Sequence, residues 1–408
     1  MPRPLRLLYA AGPGNVAGTY QHWKEGRDDP SQVSVTYSGQ FYDVCRELDA
    51  QALVISSSRS AGGLHDGNIT IRHRPITLEG GPGPLLYHFG QVWAALRLIG
   101  SALRFRADAV IVCNGSGHWF PLAFLRLFGV KVIPSLHCVL WPKHRQPGGL
   151  RKLIAKLDGW CFRRGCAAIL SASQDIERQV LQLTGVTHPP IVEFLPTYRA
   201  DLFADLGPPP QQRRPFRVLY AGRIERDKGV FQLLDMAKRF TAAGRTEIEF
   251  DVCGSGSQLE ELMRQTAAAG LSERFRCHGH CSRAAMREKF GQAHVLIVPT
   301  TTDFIEGFNQ VVAEGVLSGR PVITSSVCPA LEYVRAAVLE VPPDNATAYG
   351  DAILQLCDDG ALYRAKCEGC SASQPQFYDV ARGWSAALKR ILAEVCPQAK
   401  PKEVGSAS

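Results

Sequence analysis

Two glutamates, Glu306 and Glu314, stand eight positions apart in the stretch "EGFNQVVAE", and Gly307, Phe308 and Asn309 follow the first directly. A carboxylate accepts hydrogen bonds from paired hydroxyls, so two of them suit a ligand with hydroxyl groups towards both ends. If the stretch is helical, a rise of ~1.5 Å per residue separates the two glutamates by about 12 Å along the axis. The amides of Gly307, Phe308 and Asn309 then belong to a first helical turn. Such amides lack partners within the helix and sit at the positive end of its dipole, which predicts an anion site. A plainer reading stays open, with Glu306 as a favourable charge at a helix start and Glu314 as a surface residue.

Cations of the right kind occur upstream. In "YAGRIERDKGV", Arg223 lies one residue past a glycine and Lys228 five further on. A planar fork of donors and a compact ammonium together fit a diphosphate, although a solvated loop has the same composition. In "CGSGSQLEELM", Gly254 and Gly256 allow backbone to approach a ligand, and Ser257 is placed to cap the next helix. An ordinary turn is equally compatible.

These loops need a scaffold. Short apolar runs alternate with helical patterns along the chain, which is the signature of parallel sheets covered by helices. Strands are predicted at 5–11, 51–57, 109–114, 131–137 and 167–173, with helices at 40–50, 88–106 and 150–165. The stretch "DLGPPPQQRRPFR" (205–217) interrupts the pattern and reads as a linker. A second series of strands follows at 216–222, 247–254, 274–279, 294–300 and 320–326, and a last helix is expected over 376–392. The predicted fold class is α/β, with two tandem Rossmann-like doubly wound domains facing a cleft, where the C-terminal strand ends would bind ligand. The boundaries drawn are 1–208, 209–372, a helix within 373–395 returning to the first domain, and a disordered tail at 396–408.

Taken in order, Gly-Arg-x4-Lys-Gly, a glycine loop, "HGH", "AHVLIVPT" and Glu-Gly-Phe with a second glutamate resemble the retaining glycosyltransferases of family 4, which have the GT-B fold. The resemblance spans about residues 216–345. It implies that Arg223 and Lys228 hold a donor diphosphate, that Glu306 contacts sugar hydroxyls, that Gly307 to Asn309 meet the phosphate and that Glu314 meets the ribose. It implies no metal and no cofactor. The co-substrate is a nucleotide-diphosphate sugar, a UDP-sugar favoured over a GDP- or ADP-sugar, and the acceptor is a sugar, a lipid-linked or a small molecule. Asn309 departs from a common glycine, and Cys328-Pro329 stand where a glycine pair is common. A sugar-nucleotide epimerase of the same fold and a catalytically silent sugar-nucleotide-binding, membrane-associated scaffold are the competing readings.

In the first half, Gly12, Gly14 and Gly18 follow the first strand, and Gly14 is expected to approach the donor. The long stretch to the next helix reads as a lid, an acceptor wall or a surface loop. His137, at a strand end, resembles the histidine that many family members set near the reacting sugar, with a core histidine as the other reading. The basic residues of helices 88–106 and 150–165 fit either a solvated face or peripheral contact with the inner face of an anionic membrane.

Bulk properties agree with such a protein. The 408 residues carry 46 Lys and Arg against 38 Asp and Glu, a formal charge of +8, with 45% hydrophobic and 21% charged residues. The excess is too modest to call for nucleic acid. Thirteen cysteines in irregular spacing read as reduced cytoplasmic thiols, and "RCHGHC" (276–281) lacks zinc spacing. Neither a signal peptide nor a membrane-spanning run is predicted.

Overall fold

The computed structural model describes residues 3–58, 62–75, 84–113 and 118–399. The chain divides into two units. One comprises residues 1–140, 147–197 and 380–408, and the other residues 141–146 and 198–379.

The first unit is built on an eight-stranded sheet. Its strands are β1 (Arg6–Ala10), β2 (Gln51–Ser56), β3 (Gly63–Asp66), β4 (Ile69–His73), β5 (Ala109–Val112), β6 (Lys131–Leu136), β7 (Ile169–Ser171) and β8 (Ile191–Glu193). They are ordered β3-β4-β2-β1-β5-β6-β7-β8, and only the β3–β4 pair is antiparallel. Runs such as "AVIV" in β5 are buried at every position, as expected of strands covered by helices on both faces. The hairpin β3–β4 and the short strand β8 were not predicted. They add to the sheet edges, where the apolar signal is weakest.

The expected helix 376–392 is broken at Asp379. A short helix, Pro375–Tyr378, belongs to the second unit, while Trp384–Val395 packs into the first core, with Trp384 fully buried. The end of the expected tail is partly ordered, since Cys396 and Ala399 are buried around a turn at Pro397–Ala399. Residues 400–408 of that tail lie outside the described residues.

The second unit has a six-stranded, wholly parallel sheet: β9 (Phe216–Ala221), β10 (Ile248–Cys253), β11 (Phe275–Gly279), β12 (Val295–Val298), β13 (Val322–Ser325) and the unpredicted β14 (Val338–Val341). The order is β11-β10-β9-β12-β13-β14. Strand order reverses between β9 and β12, and loops leaving the carboxyl ends of two such strands splay apart and leave room for a ligand. The loop after β9 carries Arg223 and Lys228, and the loop after β12 carries Glu306. The linker read at 205–217 is held against this unit. Arg320, 1% exposed, donates to the carbonyls of Gly207 and Gly291, each at 2.9 Å. No helix among the described residues is long and apolar enough to cross a membrane.

Candidate active site

Strand β9 ends at Ala221, and Gly222 turns the chain outward. A short turn at Arg226–Lys228 and the left-handed Gly229 (φ 74°) then lead into the helix Val230–Ala242. That turn aims the Lys228 ammonium at Glu306, with Nζ 2.7 Å from Oε2. Both side chains are largely buried, at 13% and 9% exposure. Phe304 draws in the second cation: Lys228 Nζ lies 3.6 Å and the Arg223 guanidinium 5.3 Å from the centre of its ring. A ring face attracts cations through its quadrupole and offers no competing acceptor, so it can gather both while leaving donors free for an anion. The buried Tyr220 fixes the Arg223 loop from below by donating its hydroxyl to the Arg223 carbonyl at 2.6 Å.

Glu306 is held from several sides. Its Oε2 accepts from Lys228, from the Asn309 amide at 3.0 Å and from the Thr300 hydroxyl at 3.3 Å, while Oε1 accepts from the Gly307 backbone at 3.1 Å. A carboxylate has about four lone-pair positions. Oε2 is crowded and Oε1 retains acceptor capacity. The Lys228 ammonium spends one of its three donors on this bond.

Here the structure corrects the expected anion cup. The helix runs from Gln310 to Leu317, so Gly307, Phe308 and Asn309 precede it. The Gly307 amide is engaged by Glu306. Phe308 is 4% exposed and packs on Tyr333 and Phe377 (ring centres 5.4 and 6.0 Å), which makes its side chain part of the interior. Asn309 is the residue before the helix and adopts a left-handed conformation at φ 66°. Only glycine, and less readily asparagine or aspartate, takes that conformation without much strain, so asparagine can stand in a glycine position here.

Glu314 contradicts the surface reading. It is 8% exposed, no hydrogen bond or ion pair to its carboxylate is present among the described residues, and burial pushes its carboxyl up to about 7. Cys328 is buried and near enough to Glu306 and Lys228 to feel their charge, and burial pushes its thiol up to about 12.

The glycine loop has a different cause from the one expected. A methyl group on Gly254 would fall 1.7 Å from the Gly222 carbonyl oxygen, and one on Gly256 would fall 2.3 Å from that of Ile224. These glycines let two loops pack together, and Ile224 N donates to the Ser255 carbonyl at 2.9 Å. Ser257 does not cap the following helix. Its amide and hydroxyl both bind the Glu225 carboxylate, at 2.8 and 2.6 Å, and tie the same two loops. The "RCHGHC" segment supplies His278 to Asp251, with Nε2 2.5 Å from Oδ1, and no cluster able to hold a metal occurs among the described residues.

Two expected residues sit on the first unit. Gly14 precedes the helix Val16–Lys24, and its carbonyl accepts from Ser56 at 2.5 Å. Nothing lies within 4 Å of where its side chain would begin. His137 follows β6, between Tyr37 (ring centres 4.4 Å) and Phe194 (5.3 Å), with Nε2 3.0 Å from the Ser135 hydroxyl. Burial pulls its imidazole down to about 4, so it is neutral near pH 7 and poorly suited to act as a base. Ser135 is itself held by the Trp384 indole at 2.8 Å.

Arg223, Lys228 and Glu306 are thus brought together. Thr300, which closes the stretch "AHVLIVPT", also joins the cluster, whereas Phe304 and Tyr220 carried no signal beyond their nearness in sequence to those residues.

Residues 207–369 match the family model for glycosyl transferases group 1. The chain is 24% identical over 279 residues to an α-D-kanosaminyltransferase of Streptomyces kanamyceticus, covering 64% of this chain and 70% of that protein. Its fold is similar to that of Anabaena HepE in complex with UDP, with a TM-score of 0.63, 15% identity, and 96% and 98% of the two chains covered. It is also similar to a sucrose-phosphate synthase of Thermosynechococcus elongatus, with a TM-score of 0.66, 16% identity, and 96% and 98% covered. The chain has the GT-B type of fold, and the stretch that matches the group 1 model lies within its second unit.

Proposed function

We propose that this protein transfers a sugar from a nucleotide-diphosphate sugar, a UDP-sugar before a GDP- or ADP-sugar, to an acceptor hydroxyl, with retention of anomeric configuration and without a metal. The observation that carries the reading is the cluster in which Lys228 meets Glu306 at 2.7 Å while both Lys228 and Arg223 lie against the ring of Phe304. Two cations beside a fixed carboxylate are what a sugar diphosphate asks for. The diphosphate takes the remaining donors of Lys228 and the guanidinium of Arg223, and a sugar hydroxyl donates to Glu306 Oε1. The Glu314 carboxylate, without a partner among the described residues, supplies the acceptor that a ribose diol needs.

In the reaction, the bond between the anomeric carbon and the diphosphate oxygen breaks as the acceptor oxygen bonds to the same face. The departing phosphate oxygen takes the acceptor proton, so no protein nucleophile is required. Negative charge grows on that phosphate, and Arg223 and Lys228 stabilise it more in the transition state than in the ground state. This is the charge work a cation does in metal-dependent transferases. His137, held neutral, is a positioning donor or acceptor rather than a base. The acceptor is a sugar, a lipid-linked molecule or a small molecule, and the thirteen free thiols suit a cytoplasmic setting.

The test is release of nucleotide from UDP-, GDP- and ADP-sugars, with and without a chelator, and NMR of the product's anomeric centre. Release that needs an added divalent ion, or an inverted product, would refute the mechanism. Turnover of donor to an epimer with no acceptor present would replace transfer by epimerisation.

A further inference from the structure

Eleven large apolar side chains of the first unit are exposed on three neighbouring elements. On the helix Pro84–Phe105 they are Leu86, Phe89, Trp93 and Leu96, and on the helix Gly149–Arg164 they are Leu150, Leu153, Leu157 and Trp160. Both sets follow i, i+3, i+7, i+10 spacing, which is one face of a helix. Between them lies the short helical segment Phe120–Phe128, packed against both helices, with Phe124 (64% exposed), Leu127 (75%) and Phe128 (59%) outward. The second unit exposes only Met263 and Ile305 of this kind among its described residues. Scattered apolar residues need no explanation, but a contiguous field of aromatic and leucine side chains is a contact surface.

The charge around the field is one-sided. Residues 84–105, 118–131 and 149–164 hold nine lysines and arginines and a single acid, Asp158. That acid is buried and accepts from the amides of Trp119 and Phe120 at 2.8 and 2.9 Å. At the far end of the first helix the same face turns basic with Arg97 and Arg104. With Arg72 and Arg74 they line a cavity of about 500 Å³ that has no carboxylate in its wall. Arg74 is braced by Ser101 at 2.6 Å. A second cavity, of about 510 Å³, joins Trp160 to Arg126, Arg163 and Arg164.

We infer that this face docks on an anionic lipid bilayer. The leucines and aromatic rings enter the acyl boundary, Trp93 and Trp160 lie at headgroup depth, and the two arginine-lined cavities take lipid phosphates. A protein partner or a second copy of this chain would have to supply a matching acidic rim, and the exposed charge of this face offers none to itself. The inference does not depend on the sugar-transfer reading.

The test is co-sedimentation of the full chain with vesicles of phosphatidylcholine alone and of phosphatidylcholine with ~30% phosphatidylglycerol. Binding is expected only to the anionic vesicles, with a blue shift of tryptophan emission and a loss of several-fold in 0.5 M salt, on the order expected for screened charges. Phe89→Ser/Leu127→Ser/Leu153→Ser and, separately, Arg97→Glu/Arg104→Glu should each lower partitioning about tenfold or more. These residues lie outside the donor cluster, so nucleotide release in solution should be unchanged, which reports folding and the donor reading independently. Absence of binding by the native chain, or undiminished binding by both variants, would overturn the proposal. It would equally fall if the apolar variant only converted a native dimer to a monomer, since the occupant would then be a second copy.

Discussion

Glu306 and Glu314 belong to one stretch of nine residues yet occupy opposite environments. Glu306 receives four hydrogen bonds, one of them from Lys228, whereas Glu314 is largely buried with no partner for its carboxylate among the described residues. The first is a carboxylate whose position is settled before any ligand arrives. The second is an acceptor on a largely buried residue, with little access to water, and a ligand with hydroxyl donors would supply the bonds it lacks. One end of the ligand would therefore be held by preorganisation and the other by satisfying a buried group.

The contrast can be broken most forcefully at Glu306. Replacing it with alanine should lower kcat by about 10²–10³-fold, because it removes the proposed sugar contact and unseats Lys228. Steady-state nucleotide release measures this, and a variant with native kcat would remove Glu306 from the chemistry.

Glu314→Gln should act on affinity instead, weakening nucleotide binding by ~10- to 100-fold, the loss expected for hydrogen bonds to a charged group. Titration calorimetry reads it directly. The same change should raise stability at pH 8. The carboxyl titrates at about 7 in the folded state against an ordinary 4.5. Between those values the folded state holds a proton that the unfolded chain has lost, so stability falls as pH rises from 4.5 through 7. Above 7 the full penalty of about 3 kcal/mol is present. The glutamine variant escapes it, and its melting temperature should exceed the native one at pH 8 and converge with it near pH 4.5.

A third outcome follows for the ligand. If ribose hydroxyls bind the carboxylate form, as proposed, nucleotide affinity should fall as pH drops below about 7, by up to tenfold per unit, and the Glu314→Gln variant should lose this slope. An identical slope in both would assign it to another group.

The smallest effect is expected at Asn309. Glycine fits its left-handed backbone and removes only the 3.0 Å bond to Glu306, so Asn309→Gly should cost about two- to fivefold in kcat, the worth of one hydrogen bond of roughly 0.5–1 kcal/mol. Asn309→Val should instead lose roughly 1–2 kcal/mol of stability, seen by denaturant melting.

Much of the candidate site was legible. Arg223, Lys228 and Glu306 are named by residue type, by order along the chain and by their places after apolar runs. Phe304 was not, because an aromatic in a loop reads the same whether it packs inward or gathers cations. The sequence placed the helix start three residues early, since Gly-Phe-Asn is compatible with a first turn until the backbone at Asn309 is seen to be left-handed. Gly254 and Gly256 were noticed for the right property and the wrong neighbour, because only the packed loops reveal which backbone comes close.

The apolar stripes of the first unit mark the same boundary. Spacing along Pro84–Phe105 and Gly149–Arg164 determined that each helix has an apolar face, and strand and helix alternation determined two parallel α/β sheets. Periodicity is a property of one segment and is written in its residues. Whether a face is covered, whether a glutamate meets four donors or none, and whether a histidine stays neutral depend on segments distant in the chain. Those were decided only when the chain closed on itself, because burial and partnership are relations between residues that no local pattern contains.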